Sequence, residues 1–473
     1  MTLTSEQSDI LNHFISTPGI TAITAVSGAG KTSTLVEIAK RFPHKRGLML
    51  AYNNSVATSS RKKFPSTVDC RTTHSLAYQA VVKQFRLFVG AFTYKSITHK
   101  ISYEHKVAII NTIKEFCLSK YTDFDLFASE THVPDSISKL SVHYLSLMQS
   151  GKIECTHDFY LKLFHIYLAD GTLSYPDFDF IMLDECGDLN PVTIEIFHLL
   201  PSQRKLAVGD PFQNIYSFNH TVNYFAQLPS DATLMPMSQS FRVPKFIATL
   251  VEKFCQKYLD PSMQFKGVDV TDRSISTRAY LTRTNAALIA EMIRCDDEGI
   301  PYNLLRDPKE IFRIPLMLCG LKYQGYITVP EYSHIQADVD EWYESDTLKS
   351  EFKSALAYLA SLYSEEDMQL RQAIRLLLKY KAPRIIETFK KASSHVGTHH
   401  PYTLSTVHAA KGMEWDSVTV ATDLNDTTQL TKDFIKENPQ MLEDLPQERI
   451  DTLNLYYVCV TRCKKELHNA IHL

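Results

Sequence analysis

The chain has 473 residues, 44% of them apolar and 22% charged, and its 50 basic and 53 acidic side chains give a net charge of −3. This composition excludes a disordered or collagen-like chain, and the length suits several domains of about 100–200 residues each. Because the average charge is nearly balanced, a nucleic-acid partner would need a local basic groove. No apolar run approaches the roughly 18 residues that a membrane span needs. The N-terminal Met1-Thr-Leu-Thr-Ser-Glu-Gln has no basic or apolar leader pattern, so no signal peptide is expected. The nine cysteines are scattered without a CxxC pair, which suggests reduced thiols in a cytosol-like compartment.

In chain order, residues 19–26 are apolar and β-branched between breakers, which predicts a buried strand. A glycine-rich turn follows, then a helix from Thr34 to Arg41. Short apolar strands are predicted at 47–52, 179–184 and 205–210. Strands ending in Asp or Gly and alternating with helical stretches predict a doubly wound parallel sheet, with ligands beyond the carboxyl ends of its strands. Between about 80 and 170 the periodicity turns helical, as in the stretch from Tyr103 to Phe116, and predicts an α-helical insertion. A second sheet is predicted to begin near Ala279 and to resume at Thr403 and Ser417. The stretch between, roughly 300–400, is charge-segregated. Asp338 to Asp346 holds five acids and no base, whereas Arg371 to Lys391 holds seven bases and one acid. Solvated helix faces account for this, and a basic strip facing a phosphate backbone is the alternative.

Two motifs carry chemistry. Ala25-Val-Ser-Gly-Ala-Gly-Lys-Thr32 lies between the first strand and the first helix. Glycines let backbone N–H groups wrap phosphates, the lysine reaches the β- and γ-phosphates, and the threonine hydroxyl suits Mg²⁺. The strict pattern has Gly where Ala25 stands. Asp184-Glu185 closes the apolar strand at 179–184. One carboxylate there suits Mg²⁺ and the other an attacking water, while helix capping ahead of Leu189 is the structural rival.

Eight segments in register resemble the UvrD/PcrA/Rep-like superfamily 1 helicases. They are Gly28–Thr32, Leu50-Ala-Tyr-Asn-Asn-Ser-Val-Ala57, Thr72-Thr-His-Ser-Leu-Ala-Tyr78, Asp184-Glu-Cys-Gly-Asp188, Val208-Gly-Asp-Pro-Phe-Gln-Asn-Ile-Tyr-Ser-Phe218, Ser238-Gln-Ser-Phe-Arg242, Thr406-Val-His-Ala-Ala-Lys-Gly-Met-Glu-Trp415 and Leu455-Tyr-Tyr-Val-Cys-Val-Thr-Arg-Cys-Lys464. The resemblance runs from Gln7 to Lys464. It implies an α/β fold of two RecA-like parallel-sheet domains of the P-loop NTPase kind, each with an inserted, mainly helical subdomain. The first domain would comprise 1–80 and 171–235 with insertion 81–170, and the second 236–298 and 401–473 with insertion 299–400.

The resemblance also implies ATP and Mg²⁺ as cofactors and a set of site residues. Lys31, Asp184, Glu185, Gln213, Arg242 and Arg462 would be catalytic. Gln7, Ser27, Gly28, Ala29, Gly30, Lys31, Thr32, Ser33, Phe241 and Glu414 would hold the nucleotide, with Thr32 and Asp184 on the metal. Gln7 would read the adenine edge and Phe241 would stack on the base. Tyr52, Asn54, His74, Tyr216, Phe218, Thr406 and His408 would line the single strand, where stacking grips every base alike. Three departures stand out: Gly187 replaces a usual glutamine, Ser55 a usual lysine, and Asn219-His220 a usual Arg-Gly. Each weakens strand grip or coupling, yet none removes an ATPase residue. The Cys459–Cys463 spacing has no partner ligand cluster that would make it a metal site.

The implied activity is an ATP-dependent single-stranded DNA translocase or helicase, 3′ to 5′, acting on single strands and single-/double-strand junctions in replication, repair or recombination. A replication factor or nuclease is the expected protein partner, no membrane is involved, and the expected setting is the cytoplasm of a bacterial or phage-infected cell. The alternative is a helicase-like ATPase subunit of a larger assembly, such as a Gabija-like anti-phage complex.

Overall fold

The computed structural model describes residues 3–217, 220–321, 329, 332, 335–363 and 368–473. The chain divides into two compact units, Met1–Phe241 and Arg242–Leu473. The first is built on strands β1 (Gly19–Ala25), β2 (Gly47–Leu50), β3 (Val68–Arg71), β4 (Phe180–Asp184), β5 (Arg204–Gly209) and β6 (Thr233–Met237). They form one sheet in the order β3-β2-β4-β5-β1-β6, every pairing parallel. The central strands β2 and β4 are buried at every position, so they read as unbroken apolar runs. Between β3 and β4 the chain runs through helices including Tyr103–Leu118, Asp135–Gln149 and His157–Ala169. Their apolar faces share one core with the sheet, from Leu48 and Leu183 to Ile109, Phe116 and Phe164.

The unit boundary falls inside β7 (Gln239–Pro244), which pairs with β8 (Lys266–Val268). The second unit continues with β9 (Arg278–Thr282), β10 (Asn303–Leu304), β11 (Tyr402–Thr406), β12 (Trp415–Val420) and β13 (Cys463–His468). These make a second all-parallel sheet in the order β10-β11-β9-β12-β13. Between β10 and β11 the described residues are mainly helical, and their buried face packs with Leu288 and Ile289 of the helix Asn285–Glu298 and Leu404 of β11. The basic stretch from Arg371 to Lys391 lies on the helix Met368–Ala392. That helix is broken at Lys381 (φ 63, ψ 153) just ahead of Pro383, as a proline that cannot continue the helical hydrogen bonding requires. The doubly wound parallel architecture expected from the sequence is what the chain adopts in both units.

The sequence reading missed the helix Ser5–Ser16 and strands β3, β6 and β13. β3 has four residues and only two of them buried. β6 is an edge strand with one fully buried position. β13 runs Cys-Lys-Lys-Glu-Leu-His, too charged to resemble a core strand, and it too lies at a sheet edge.

Candidate functional site: a phosphate loop and the carboxyl edge of its sheet

In a parallel sheet all strand ends of one kind lie along one edge. In the first unit the segments after β1, β2, β3, β4 and β5 therefore gather at a single rim. After β1 the backbone turns through Gly28 (φ 77) and Gly30 (φ 79), both in the left-handed region that favours glycine. Gly30 caps the helix Lys31–Lys40 with no side chain on the first-turn N–H groups. An uncapped helix start with glycines before it is a ready anion cradle. Ser27 is buried and its carbonyl accepts the Ser240 hydroxyl at 2.7 Å. The Gly28 carbonyl accepts the Phe241 N–H at 2.9 Å. Ala29 is buried, while Thr32 is half-buried and Ser33 exposed at the helix start.

Lys31 Nζ lies 3.2 Å from Glu185 Oε1. Burial works against the ammonium charge, but Glu185, Asp210 and Asp184 outweigh it and hold the amine above its ordinary value. Asp184 ends β4 and is 3% exposed. Burial first, and the charge of Glu185 second, push its carboxyl up to about 7, against the pull of Lys31. Its Oδ1 accepts the Glu185 N–H at 3.0 Å, and its other oxygen has no hydrogen bond among the described residues. A buried carboxylate with one oxygen left for a further ligand fits a hard cation such as Mg²⁺, which is usually completed by phosphates and water. No group of three or more His, Cys, Asp or Glu side chains among the described residues could hold a metal unaided. Glu185 itself sits at φ 55, a left-handed conformation that a glutamate adopts only when its surroundings impose it.

A carboxylate that the sequence reading left out of the site belongs to it. Asp210 follows β5, is 1% exposed, and accepts Gln213 Nε2 at 2.7 Å and the Phe212 N–H at 3.1 Å. It thereby fixes the amide of Gln213 and adds to the field on Lys31. Its position directly after a strand-ending Gly209 was the available signal.

Gly187 now has a steric explanation. A Cβ there would stand 2.4 Å from the Asp210 carbonyl oxygen, and one on Gly209 would stand 2.6 Å from the Gly187 nitrogen. The loops after β4 and β5 therefore touch backbone to backbone. Three further main-chain contacts tie them: Cys186 N–H to Val208 O at 3.0 Å, Tyr224 N–H to Cys186 O at 3.3 Å, and the Leu189–Val222 bridge.

Gln7 is buried rather than presented to solvent. Its Oε1 accepts the Thr4 N–H at 3.0 Å in a capping box, and its Nε2 donates to Thr34 Oγ1 at 2.9 Å. Phe241 is 48% exposed with its ring edge against Gly30, so it offers a face to a base. Along the same rim lie the expected strand-contacting positions of this unit. Tyr52 follows β2 and is 46% exposed, and Asn54 begins the helix Asn54–Arg61. His74 starts the helix Thr73–Ala77 after β3, with Nε2 4.0 Å from Asp158. Tyr216 is half-buried in the loop after β5. Phe218 lies outside the described residues.

In the second unit Arg242 and Glu414 are brought together as an ion pair, and Lys464 stands 3.9 Å from the same glutamate. Arg462 is 1% exposed, and its Nε donates to Val458 O at 3.0 Å. Arg462 and Glu414 immediately precede β13 and β12, at the amino edge of this sheet, where the Trp415 N–H donates to Arg462 O at 3.0 Å. Thr406 ends β11 at the opposite, carboxyl edge, with His408 just beyond it. Cys459 and Cys463 are buried free thiols.

A phosphate loop at the carboxyl edge of a parallel sheet, facing an Asp-Glu pair, with a second parallel-sheet unit carrying arginines, defines a P-loop NTPase of the two-sheet kind. The family model described as "AAA domain" matches residues 7–219. The chain is similar to "F-box DNA helicase 1" of Gallus gallus, 28% identical over 98% of this chain and 48% of that protein. It is also similar to "F-box DNA helicase protein 1" of Schizosaccharomyces pombe, 24% identical over 98% of this chain and 57% of that one. The chain thus spans about half the length of the curated relatives it matches. These similarities agree with the resemblance to superfamily 1 helicases and single out no UvrD-like branch within it. No described helix is long and apolar enough to cross a membrane.

Proposed function

We propose that the chain is an ATP-driven motor that moves along single-stranded DNA and opens duplexes. The observation that carries this reading is the Lys31–Glu185 contact of 3.2 Å beside buried Asp184 at an uncapped glycine-loop helix start. The loop N–H groups and Lys31 bind the triphosphate, with Thr32 and Asp184 as the residues that would hold Mg²⁺. That ion, when bound, would offset the charge of the phosphates. Glu185 orients and deprotonates the attacking water, and Gln213, whose amide Asp210 holds, would act on the same phosphate. Arg242 and Arg462 neutralise charge that develops as the terminal phosphate leaves. Phe241 stacks on the base.

Tyr52, Asn54, His74, Tyr216, Phe218, Thr406 and His408 grip the strand. The domain assignments from the sequence, two RecA-like domains with helical insertions, form part of this reading, as does 3′ to 5′ movement. The similar proteins are named DNA helicases and come from a bird and a fission yeast. A eukaryotic setting is therefore favoured over the bacterial or phage one expected from the sequence. Strand displacement from duplexes tailed on the 3′ or the 5′ side, with ATP and Mg²⁺, tests the proposal. Displacement only from 3′-tailed duplexes is the expected result. None from either substrate, with ATP turnover intact, would overturn the helicase reading.

A further inference from the structure

The helix Thr73–Ala77 that carries His74 continues through a π-helical turn, Tyr78–Val82, into Lys83–Phe85. Such π turns cost regular hydrogen bonding and recur at functional positions. This continuous segment packs beside the helix His157–Ala169 and makes an aromatic seam with it. Tyr78 meets Tyr160 with ring centroids 5.9 Å apart, and Phe85 meets Tyr167 at 5.2 Å. His74 joins the same Tyr160 at 6.1 Å. Tyr160 and Tyr167 are two turns apart on their helix, about 10 Å.

The outer side of this seam is open. Tyr78 is 41% exposed, Phe85 42% and Phe88 68%. The exposure of Phe88 is imposed by a rigid backbone. Arg86 turns the chain in the left-handed region (φ 54), Leu87 is buried, the Phe88 carbonyl accepts the Cys155 N–H at 2.8 Å, and the Gly90 N–H donates to Cys155 O at 3.0 Å. A rigidly anchored segment that turns a phenylalanine outward presents a surface rather than a loose end. Lys83 and Arg86 are exposed beside Phe85, and the nearby acids are Asp158, facing His74, and Glu154, against Gly90.

From this seam we infer a second single-strand binding platform, in which Tyr78, Phe85 and Phe88 stack successive bases and Lys83 and Arg86 meet their phosphates. It rests on the strand-gripping reading above, which it extends from His74 along the helical insertion of the first unit. Stacking suits this surface because every base has a π-face, and exposed aromatics flanked by cations are the usual composition of such platforms. Aromatic side chains also occur at protein-docking faces, but cations beside the rings suit a polyanion whose bases can stack. Here three exposed rings occur within eleven residues of chain, with exposed Lys83 and Arg86 among them.

The test measures affinity and minimal site size on labelled oligothymidylates of decreasing length. It compares the wild-type chain, the Phe85→Ala/Phe88→Ala variant and Phe88→Trp. The double variant should bind long oligonucleotides about tenfold more weakly, occupy a shorter minimal site, and keep its ATP KM and melting temperature. Phe88→Trp should bind as tightly as the wild type. Unchanged affinity and site size in the double variant would overturn the platform and leave the face to a protein partner. If the wild type itself bound no oligonucleotide, the strand-gripping reading would fall instead. Should the double variant unfold, photocrosslinking of iododeoxyuridine-substituted oligonucleotides to the wild type decides: adducts at Phe88 support the platform and their absence overturns it.

Discussion

The two parallel sheets treat the same structural position in opposite ways. In the first unit, the turn from β1 into its helix is made of glycines, and the helix start carries no side-chain cap. In the second, the turn from β9 into the helix Asn285–Glu298 is capped by Thr284, whose side chain accepts the Ala287 N–H. A carboxylate from the chain itself completes that turn. Asp423, just after β12, accepts the Arg283 N–H at 3.2 Å and both the N–H and the hydroxyl of Thr284 at 2.9 Å. Burial pushes the Asp423 carboxyl up, and these three donors pull it back. The second sheet supplies its own anion where the first leaves a place for one. A parallel sheet alone makes no nucleotide site; the local chemistry of one turn leaves a place for an anion or fills it.

The largest effect should come from breaking the open turn. Lys31→Ala should reduce ATP turnover by about a hundredfold or more, because a fixed positive charge on the developing phosphate charge is lost. Single-strand affinity, measured by fluorescence anisotropy, should change by no more than about threefold, since Lys31 is held among Glu185, Asp184 and Asp210 at the glycine loop. Next comes the filled turn. Asp423→Ala should leave three donors without an acceptor and lower the unfolding free energy by about 2 kcal/mol. Chemical denaturation would show it, while ATP affinity stays unchanged.

Gly187→Ala must displace the Asp210 carbonyl, and with it Gln213. We expect kcat to fall about tenfold with ATP KM nearly constant, since a small misplacement of a site loop is costly to the chemical step. A change confined to melting temperature would show the contact to be structural only. The smallest effect concerns the buried helix His157–Ala169. Burial there pulls His165 down to about 3, and its Nδ1 has no hydrogen-bond partner among the described residues. Below the ordinary value near 6.5 the unfolded chain binds a proton that the folded chain refuses, so stability is lost as pH falls toward 3. Between pH 7 and 5.5 the wild type should lose about 1 kcal/mol relative to His165→Leu, as paired denaturation curves would measure.

Much of this comparison was legible in the sequence, and for physical reasons. β1, β2, β4 and β5 are apolar runs because both faces of a parallel sheet are covered, and the glycine loop must sit where a strand feeds a helix. The Asp184-Glu185 pair was legible because it ends such a strand. The helix Ser5–Ser16 did leave a local mark, the Thr4-x-x-Gln7 capping box, and that same box accounts for the burial of Gln7. Other features had no local mark. Asp423 reaches Thr284 across 139 residues of chain, and nothing around either residue announces the pairing. The need for glycine at 187 arises from the carbonyl of Asp210, on another strand's loop. The Arg242–Glu414 pair likewise joins residues 172 apart. Such contacts exist only once the sheet order is fixed.

The most direct test of the account is steady-state ATP turnover by the pure chain with Mg²⁺, with and without a single-stranded oligonucleotide, using Glu185→Gln as the blank. The oligonucleotide should raise turnover at least about tenfold, as in a motor whose strand track and ATP site are coupled, and turnover should disappear in the variant. Turnover that persists in Glu185→Gln, or that no oligonucleotide alters in the wild type, would contradict it.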